Sequence, residues 1–194
     1  MRYNELTFQG RNAVLEAFRS GKTIDKLFIL DGCQDGPIKS IVREAKKTDA
    51  IINYVDKERL DRLAGTGHHQ GVVAIGAAYE YAEVEDILAA AKEKGEDPFI
   101  FILDEIEDPH NLGAIIRTAN LAGAHGVIIP KRRAVGLTAT VAKTSAGAIN
   151  YTPVAKVTNI SQTIEELKKQ GLWFVCADMG GETMYNLNLK GPIG

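Results

Sequence analysis

The sequence lacks the features that mark membrane, secreted and zinc-binding proteins. No apolar run approaches the ~20 residues of a membrane span, and the opening "MRYNELTFQGRNAV" has no apolar core like that of a signal peptide. The two cysteines, Cys33 and Cys176, lie far apart in apolar surroundings and form no CxxC motif. Buried free thiols in a reducing compartment are therefore favoured over a disulfide, and the sequence predicts a cytoplasmic protein.

The motifs of the common nucleotide enzymes and hydrolases are also missing. No strand-like segment leads into G-x-G-x-x-G, and neither G-x-x-x-x-G-K-[ST] nor G-x-S-x-G occurs. His68 and His69 are adjacent and face apart, while His110 and His125 are isolated. No metal site is predicted from these spacings.

Charge is distributed unevenly behind a net charge of −2. Residues 79–109 carry eleven acidic and two basic side chains, whereas 1–47 and 110–194 each carry more basic than acidic ones. Basic patches rather than net charge set the footprint of an RNA-binding protein, so an RNA partner is compatible with this pattern. An ordinary solvated surface is equally compatible.

Apolar segments of strand and helix type alternate along the chain and predict an α/β protein. We expect a small α/β domain over 1–78, an acidic linker with its own helix over 79–97, and a parallel-sheet domain from 98 to 194. The first domain has predicted strands at 26–30, 51–55 and 71–77 and predicted helices at 9–21, 37–47 and 56–65. The second has predicted strands at 99–103, 126–130, 152–157 and 172–178 and predicted helices at 111–123, 138–148 and 161–170. Its last residues, "MYNLNLKGPIG", approach a further strand, so we expect the sequence to stop within a domain.

The stretch "DEIEDPHNLGAIIRTANLAG" is the strongest candidate site, because open parallel sheets bind ligands where strands lead into helices. Asn111 suits an N-cap, and Arg117 falls off the apolar stripe of the helix, one turn after Gly113. A guanidinium beside a residue without a side chain would leave an accessible strip for a phosphate or a sugar. The alternatives are a surface arginine paired with an acid of the run 104–108 and an acidic run that holds magnesium.

A second cluster is basic. Lys131, Arg132 and Arg133 directly follow a predicted strand, and Lys143 lies in a helix of small residues. Such a loop and helix suit contact with an RNA backbone. Small residues also permit close packing between helices or subunits, and the two interpretations can coexist.

The segment "DEIEDPHNLGAIIRTANLAGAHGVIIP", followed by "ATVAKTSAGAINYTPV", closely resembles the first signature motif of the SpoU (TrmH-like) RNA ribose 2′-O-methyltransferases. "FQGRNAVLEAF" and "TGHHQGVVA" are similar to the start and end of the substrate-binding domain of that family. The nearest likeness is to the branch that methylates a guanosine ribose in large-subunit ribosomal RNA. The resemblance covers nearly the whole chain.

The resemblance implies a ribosomal-protein-like N-terminal domain and a Rossmann-like SPOUT methyltransferase domain with a C-terminal trefoil knot. It also implies S-adenosylmethionine as methyl donor and a homodimer. The second and third motifs of the family, which make the knot and most of the donor pocket, are absent, so cofactor-binding residues are expected beyond Gly194.

Site residues follow from the same resemblance. Arg117 falls on the catalytic arginine of the family and Asn111 on its motif-one asparagine. Arg11, Asn12, His69 and Gln70 are candidates for RNA contact in the first domain, and Lys131, Arg132, Arg133 and Lys143 in the second. For His68 and His69 a hydrogen-bonded loop pair is an equally good interpretation.

The sequence therefore predicts transfer of a methyl group to a ribose 2′-OH of structured RNA. A non-catalytic RNA-binding protein with the same fold, a transfer RNA methyltransferase and a generic metal-using α/β enzyme are the alternatives. The motif match counts strongly against the last of these.

Overall fold

The computed structural model describes residues 6–48, 50–65 and 67–194, so Thr66 of the "TGHHQGVVA" motif lies outside the described residues. The chain divides into two compact units. The first contains the described residues up to Glu80 together with Gly136–Ala139, and the second contains Tyr81–Val135 and Thr140–Gly194. Within the described residues, no helix combines the length and the apolar character needed to cross a membrane.

The first unit is built on a mixed sheet with the strand order β1-β4-β2-β3. Its strands are β1 (Leu6–Gln9), β2 (Ile24–Leu30), β3 (Ile51–Val55) and β4 (Val72–Gly76). Its helices are α1 (Arg11–Arg19), α2 (Gly36–Ala45) and α3 (Lys57–Ala64). Strand β2 is parallel to β3 and antiparallel to β4, which is itself antiparallel to β1.

Local signals in the sequence account for these elements. Helix α2 begins where the Asp35 carboxylate accepts the Ile38 N–H at 3.1 Å, with Pro37 in the first turn. Its predicted face buries Ile38, Ile41 and Ala45 in the core of the unit. No comparable signal predicts β1, a short edge strand directly before α1.

The second unit has a parallel sheet, as the sequence predicts, and its strand order is β5-β6-β7. Its strands are β5 (Ile100–Ile102), β6 (Gly126–Pro130) and β7 (Val154–Val157). Its helices are α4 (Val84–Lys94), α5 (Pro109–Leu121), α6 (Ala139–Thr144, whose first residue belongs to the other unit) and α7 (Ile160–Lys169). A short 3-10 helix spans Ala148–Asn150.

Helices cover both faces of this sheet. Ile87 of α4 and Leu167 of α7 join Ile128 of β6 in one buried cluster. Since neighbouring strand residues point to opposite faces, Val127 and Ile129 face the other side, where α5 contacts β6. Helix α4, which the sequence assigns to a linker, thus packs on the sheet of the second unit.

The predicted strand over 172–178 is wrong. Trp173 forms only an isolated parallel bridge, with Ile193, and Ile193 also bridges Phe99 beside β5. The short segment around Ile193 thus lies between β5 and Trp173 and pairs with both. From Val175 onward the segment forms no strand and is exposed. The Cys176 thiol is therefore free and exposed rather than buried.

Helix α6 is shorter than predicted. It ends at Thr144, because Ala146 and Gly147 adopt left-handed backbone angles, with φ of 50° and 90°. The chain turns there and continues into the 3-10 helix. The knot that the resemblance implies, and the position of any further knot segment, stay predictions.

Candidate active site

The candidate site lies at the carboxyl edge of the parallel sheet, where β5 leads into α5. The acidic turn 104–108 connects the two elements, and the Asp108 carboxylate accepts the His110 N–H at 2.8 Å. Asp108 is therefore the N-cap, and Pro109 occupies the first turn. The prediction that Asn111 caps this helix is wrong, because the helix begins two residues earlier, at the Asp-Pro pair.

Helix α5 buries one face and exposes the other. Leu112, Ile116 and Ala119 are fully buried, while Asn111 and Arg117 are exposed. Six positions separate these two polar residues, so they point about 120° apart around the helix axis. Arg117 and Asn111 therefore share an exposed surface but cannot hold the same group side by side.

Arg117 has no ion pair or hydrogen bond with any residue in the described part of the chain. The alternative in which an acid of the turn 104–108 neutralises it is therefore not observed. A guanidinium with five donors, on the exposed face of a helix whose other face is buried, is a ready site for a phosphate or a ribose.

Gly113 does not open a strip beside Arg117, as the sequence suggests. It is buried, and a Cβ at this position would lie 2.8 Å from the Thr144 Cβ and 2.9 Å from the Val141 carbonyl oxygen. The missing side chain lets α6 pack directly on α5. The small residues of 138–148 thus serve close helix contact, which is the alternative that the sequence leaves open.

The basic candidates in this unit have distinct surroundings. Arg132 and Lys143 are exposed, and Lys131 is half-buried with a partner of its own. Arg133 instead donates from Nη1 to Glu105 Oε1 at 2.6 Å. Sequence reasoning missed this ion pair, since its members lie 28 positions apart on different loops.

In the first unit, Arg11 and Gln70 come together. The Arg11 Nε donates to the Gln70 carbonyl oxygen at 3.1 Å, and the Gln70 Oε1 accepts the Arg11 backbone N–H at 3.1 Å. Arg11 also forms an ion pair with Asp35. Arg11 and Gln70 thus fix the end of the "GHHQG" loop against the start of α1, and Asn12 lies exposed beside them.

His69 lies in the interior of this unit. It is 5% exposed, its Nδ1 accepts the Gly71 N–H at 3.0 Å, and its Nε2 donates to Asp61 Oδ1 at 2.9 Å. The backbone donor at Nδ1 requires the proton to be on Nε2. His69 therefore has no ring nitrogen left for RNA, and the interpretation as a hydrogen-bonded loop histidine describes it, while His68 is exposed.

A shallow depression next to this loop was not apparent in the sequence. It has a volume of about 360 Å³ and is lined by Lys57, Asp61, Arg62, Gly65 and Gly67. The basic residues lie on α3, where charged positions alone give no sign of a cavity. Within the described residues, no cluster of three His, Cys, Asp or Glu side chains is arranged to hold a metal ion.

The sequence matches two family models in tandem. Residues 98–194 match the SpoU rRNA methylase family, and residues 9–82 match the RNA 2′-O ribose methyltransferase substrate-binding domain. The first match includes α5, the acidic turn 104–108 and the basic residues 131–133.

Curated relatives agree. A Bacillus subtilis (strain 168) protein described as a TrmH family tRNA/rRNA methyltransferase is 54% identical over 185 residues, which cover 95% of this chain and 74% of that protein. A Staphylococcus haemolyticus (strain JCSC1435) protein with the same family description is 47% identical over 181 residues, or 93% of this chain and 72% of the relative.

The fold also has a solved counterpart. The SpoU methyltransferase AviRb from Streptomyces viridochromogenes, crystallised with the cofactor AdoMet, aligns with a TM-score of 0.52 at 19% identity. The alignment covers 97% of this chain and 70% of that one. At this identity the likeness concerns the fold alone. With both domain models and close relatives in agreement, the chain belongs to the SpoU (TrmH-like) family of RNA methyltransferases.

Proposed function

We propose that this chain transfers a methyl group from S-adenosylmethionine to a ribose 2′-OH of structured RNA, with a guanosine of large-subunit ribosomal RNA as target. The observation that carries the proposal is Arg117. It is exposed and lacks a partner within the described residues, and it projects from a helix that begins at the ligand-binding edge of the sheet. The family match of the first unit supports a ribose 2′-O target.

Arg117 acts on the RNA by position and charge. A guanidinium offers only hydrogen-bond donors and no acceptor, so it is a poor base for the 2′-OH proton. It binds the phosphate next to the target ribose, orients the 2′-oxygen and stabilises the negative charge that develops there. Asn111 points about 120° away from Arg117 around the helix axis. It shapes the site near the N-terminus of α5.

S-adenosylmethionine supplies an electrophilic methyl group when bound. The described residues that follow Trp173 at the same edge of the sheet do not form a site for its adenosine. Residues 176–190 are exposed, apart from half-buried Leu187, and present no buried polar group to a purine. We therefore assign no residue of this segment to the donor, and the same observation keeps a non-catalytic RNA-binding protein as the second candidate function.

Contacts with the RNA backbone are assigned to basic and polar side chains at the surface of each unit. Arg132 and Lys143 lie on the loop and helix around the candidate site, together with Lys131. In the first unit, exposed Asn12 and the depression lined by Lys57 and Arg62 are suited to RNA. Arg11, Gln70 and Arg133 hold loops in place, so their contribution to RNA binding is indirect.

A homodimer and a cytoplasmic location complete the proposal. Leu121 and Tyr151 are 82% and 80% exposed. Their chain segments come together, because their sequence neighbours Asn120 and Thr152 share a hydrogen bond of 3.0 Å. Two exposed apolar side chains at the end of α5 support contact with a second copy. The free thiols and the RNA substrate support the cytoplasm.

The test is a methylation assay with radiolabelled S-adenosylmethionine and separate pools of ribosomal and transfer RNA. We expect label in large-subunit ribosomal RNA, recovered as 2′-O-methylguanosine by mass spectrometry, and none with Arg117→Ala. Label in transfer RNA would instead identify this chain as a transfer RNA methyltransferase. RNA binding without label in any pool would favour the non-catalytic function.

A further inference from the structure

Two loops at the carboxyl edge of the parallel sheet are joined by paired contacts. The first, 103–108, connects β5 to α5, and the second, 131–138, connects β6 to α6. Arg133 Nη1 of the second loop donates to Glu105 Oε1 of the first at 2.6 Å. Two residues further on, the Val135 N–H donates to the Ile106 carbonyl oxygen at 2.8 Å.

Both members of the ion pair have an unusual backbone. Glu105 and Arg133 have φ of 50° and 57°, in the left-handed region that non-glycine residues rarely adopt. Among the described residues other than glycine, the left-handed set contains only Gln70, Glu105, Arg133 and Ala146. Two of these four residues therefore form a single ion pair. Backbone strain of this kind persists where the surrounding structure imposes it.

The pair is too exposed to serve mainly as a stabilising contact. The side chains of Glu105 and Arg133 are 60% and 72% exposed, and exposed ion pairs contribute little to the stability of a fold. Its effect is local instead: together with the bond between the Val135 N–H and the Ile106 carbonyl oxygen, it fixes the position of one loop relative to the other.

We propose that Glu105 and Arg133 are positioning residues for the methyl-transfer site. Glu105 lies three residues before Asp108, the N-cap of α5, and Arg133 follows exposed Arg132. The pair and the backbone bond between Val135 and Ile106 hold the acidic turn against the basic loop. RNA therefore meets the exposed face of α5 in one geometry. This inference depends on the proposed function for its catalytic consequence, but not for the contact itself.

A positioning role of Arg133 and a direct contact of Arg133 with RNA predict different kinetics. In a positioning pair, Glu105→Gln and Arg133→Gln lower kcat by a similar factor, about tenfold, with little change in KM for RNA. The double variant is then no slower than either single variant, because the second change removes nothing further. A direct RNA contact would instead raise KM with Arg133→Gln alone, and Glu105→Gln, which removes a negative charge, would leave turnover intact.

Glu105→Gly separates the ion pair from the backbone strain. Glycine adopts a left-handed φ without penalty, so this variant keeps the turn relaxed while it removes the carboxylate. We expect a thermal midpoint at or above that of the unchanged protein together with the same loss in kcat as for Glu105→Gln. Full activity of Glu105→Gly would overturn the proposal.

Hydrogen exchange of the full chain, without RNA or donor, tests the contact independently of methyl transfer. In Glu105→Gln we expect the Val135 amide to exchange at least severalfold faster, while the Val127 amide, bonded to Pro153 across the sheet, keeps its rate. Unchanged exchange at Val135 would remove the positioning role. If the unchanged protein methylates no RNA, the proposed function fails, yet the exchange result still decides whether the pair orders the loops.

Discussion

Gly113 shows how one missing side chain sets the packing of the site. The helical spacing of α5 places it near Arg117, and from the sequence alone its lack of a side chain suggests access for a ligand. Only the position of α6, which brings Thr144 and Val141 against it, reveals that the space is already filled. The small residues of α6 are compatible with such a contact, but they do not indicate which helix is the partner.

We expect Gly113→Ala to lower the free energy of unfolding by about 1–3 kcal/mol, because the added Cβ overpacks a buried contact. Urea denaturation measures the effect. The matched control is Gly36→Ala in α2, where the added methyl group would meet nothing within 4 Å and φ is ordinary. Thr144→Ala in the Gly113→Ala background should restore part of the loss, and equal stability of the two single glycine variants would contradict this packing.

Arg117 has the opposite character, since its side chain makes no hydrogen bond or ion pair with any of the described residues. Arg117→Ala should change the free energy of unfolding by less than about 0.5 kcal/mol, as surface substitutions do. Methyl transfer should nevertheless be lost. Arg117→Lys keeps the charge without the planar fork and should recover only part of the activity. Near-normal turnover by the alanine variant would exclude a catalytic role.

At the scale of elements, the start of α5 determines how the polar residues are presented. Asp108 and Pro109 begin the helix, and Asn111 falls in its first turn rather than before it. The Asp-Pro pair was available in the sequence as a capping signal, but Asn111 is an equally good cap by residue type. The choice between the two depends on where the turn 104–108 ends, which is set by its contacts with the loop that contains Arg133.

Asp108→Ala should therefore destabilise the protein by about 1 kcal/mol through loss of the N-cap. Asp108→Asn, whose side-chain oxygen can still accept the His110 N–H, should remain close to the unchanged protein. Thermal and urea unfolding measure both variants. If alanine and asparagine have the same effect, charge rather than capping explains the role of Asp108.

Elements with a periodic or continuous apolar pattern were predictable, but strand pairing between distant segments was less so. Apolar spacing identified α2 and α5, and the run "GVIIP" identified β6, because burial on one or two faces imposes a period on the sequence. The segment 172–178 is as apolar as a strand, yet it lacks a partner long enough to pair with. Strand formation there depends on the distant residue Ile193, and no local pattern reports that.

The site was predictable by residue type rather than by contact. Arg117 was identified by its position off the apolar stripe and by resemblance, and it is exposed as required. His69 is a candidate by resemblance and Arg133 by its place in a basic loop after a strand. Both are bonded to carboxylates on other elements, His69 to Asp61 of α3 and Arg133 to Glu105. A motif indicates which polar residue types a site contains. It does not indicate which of them are already hydrogen-bonded or ion-paired within the fold.

At the scale of the whole molecule, the exposed basic residues predict how RNA affinity depends on salt. Removal of Arg132 and Lys143 together should reduce the slope of log K against log salt by about 1.4–1.8, for two phosphate contacts. Filter binding over a range of salt concentrations measures the slope. Lys168→Ala with Lys169→Ala on α7, away from the site, serves as the control of equal charge and should leave the slope nearly unchanged.

Self-association gives a second test at this scale. Leu121→Ser with Tyr151→Ser should shift a homodimer towards monomer in sedimentation velocity, because both side chains are exposed and apolar. Met179→Ser, which alters a residue that is 98% exposed, is the control and should leave the sedimentation coefficient unchanged. A dimer that persists in the double variant would place the contact between copies elsewhere.

The position of Ile193 between Phe99 and Trp173 also imposes an order of events during synthesis. A ribosome releases Phe99 and Trp173 first, and the residue that joins them emerges twenty positions after Trp173. At about 5–20 residues per second, the two edges wait on the order of seconds without their common neighbour. If Trp173 paired directly with β5 during that time, the pairing would be non-native. The segment around Ile193 would then have to displace Trp173 to reach its position between them.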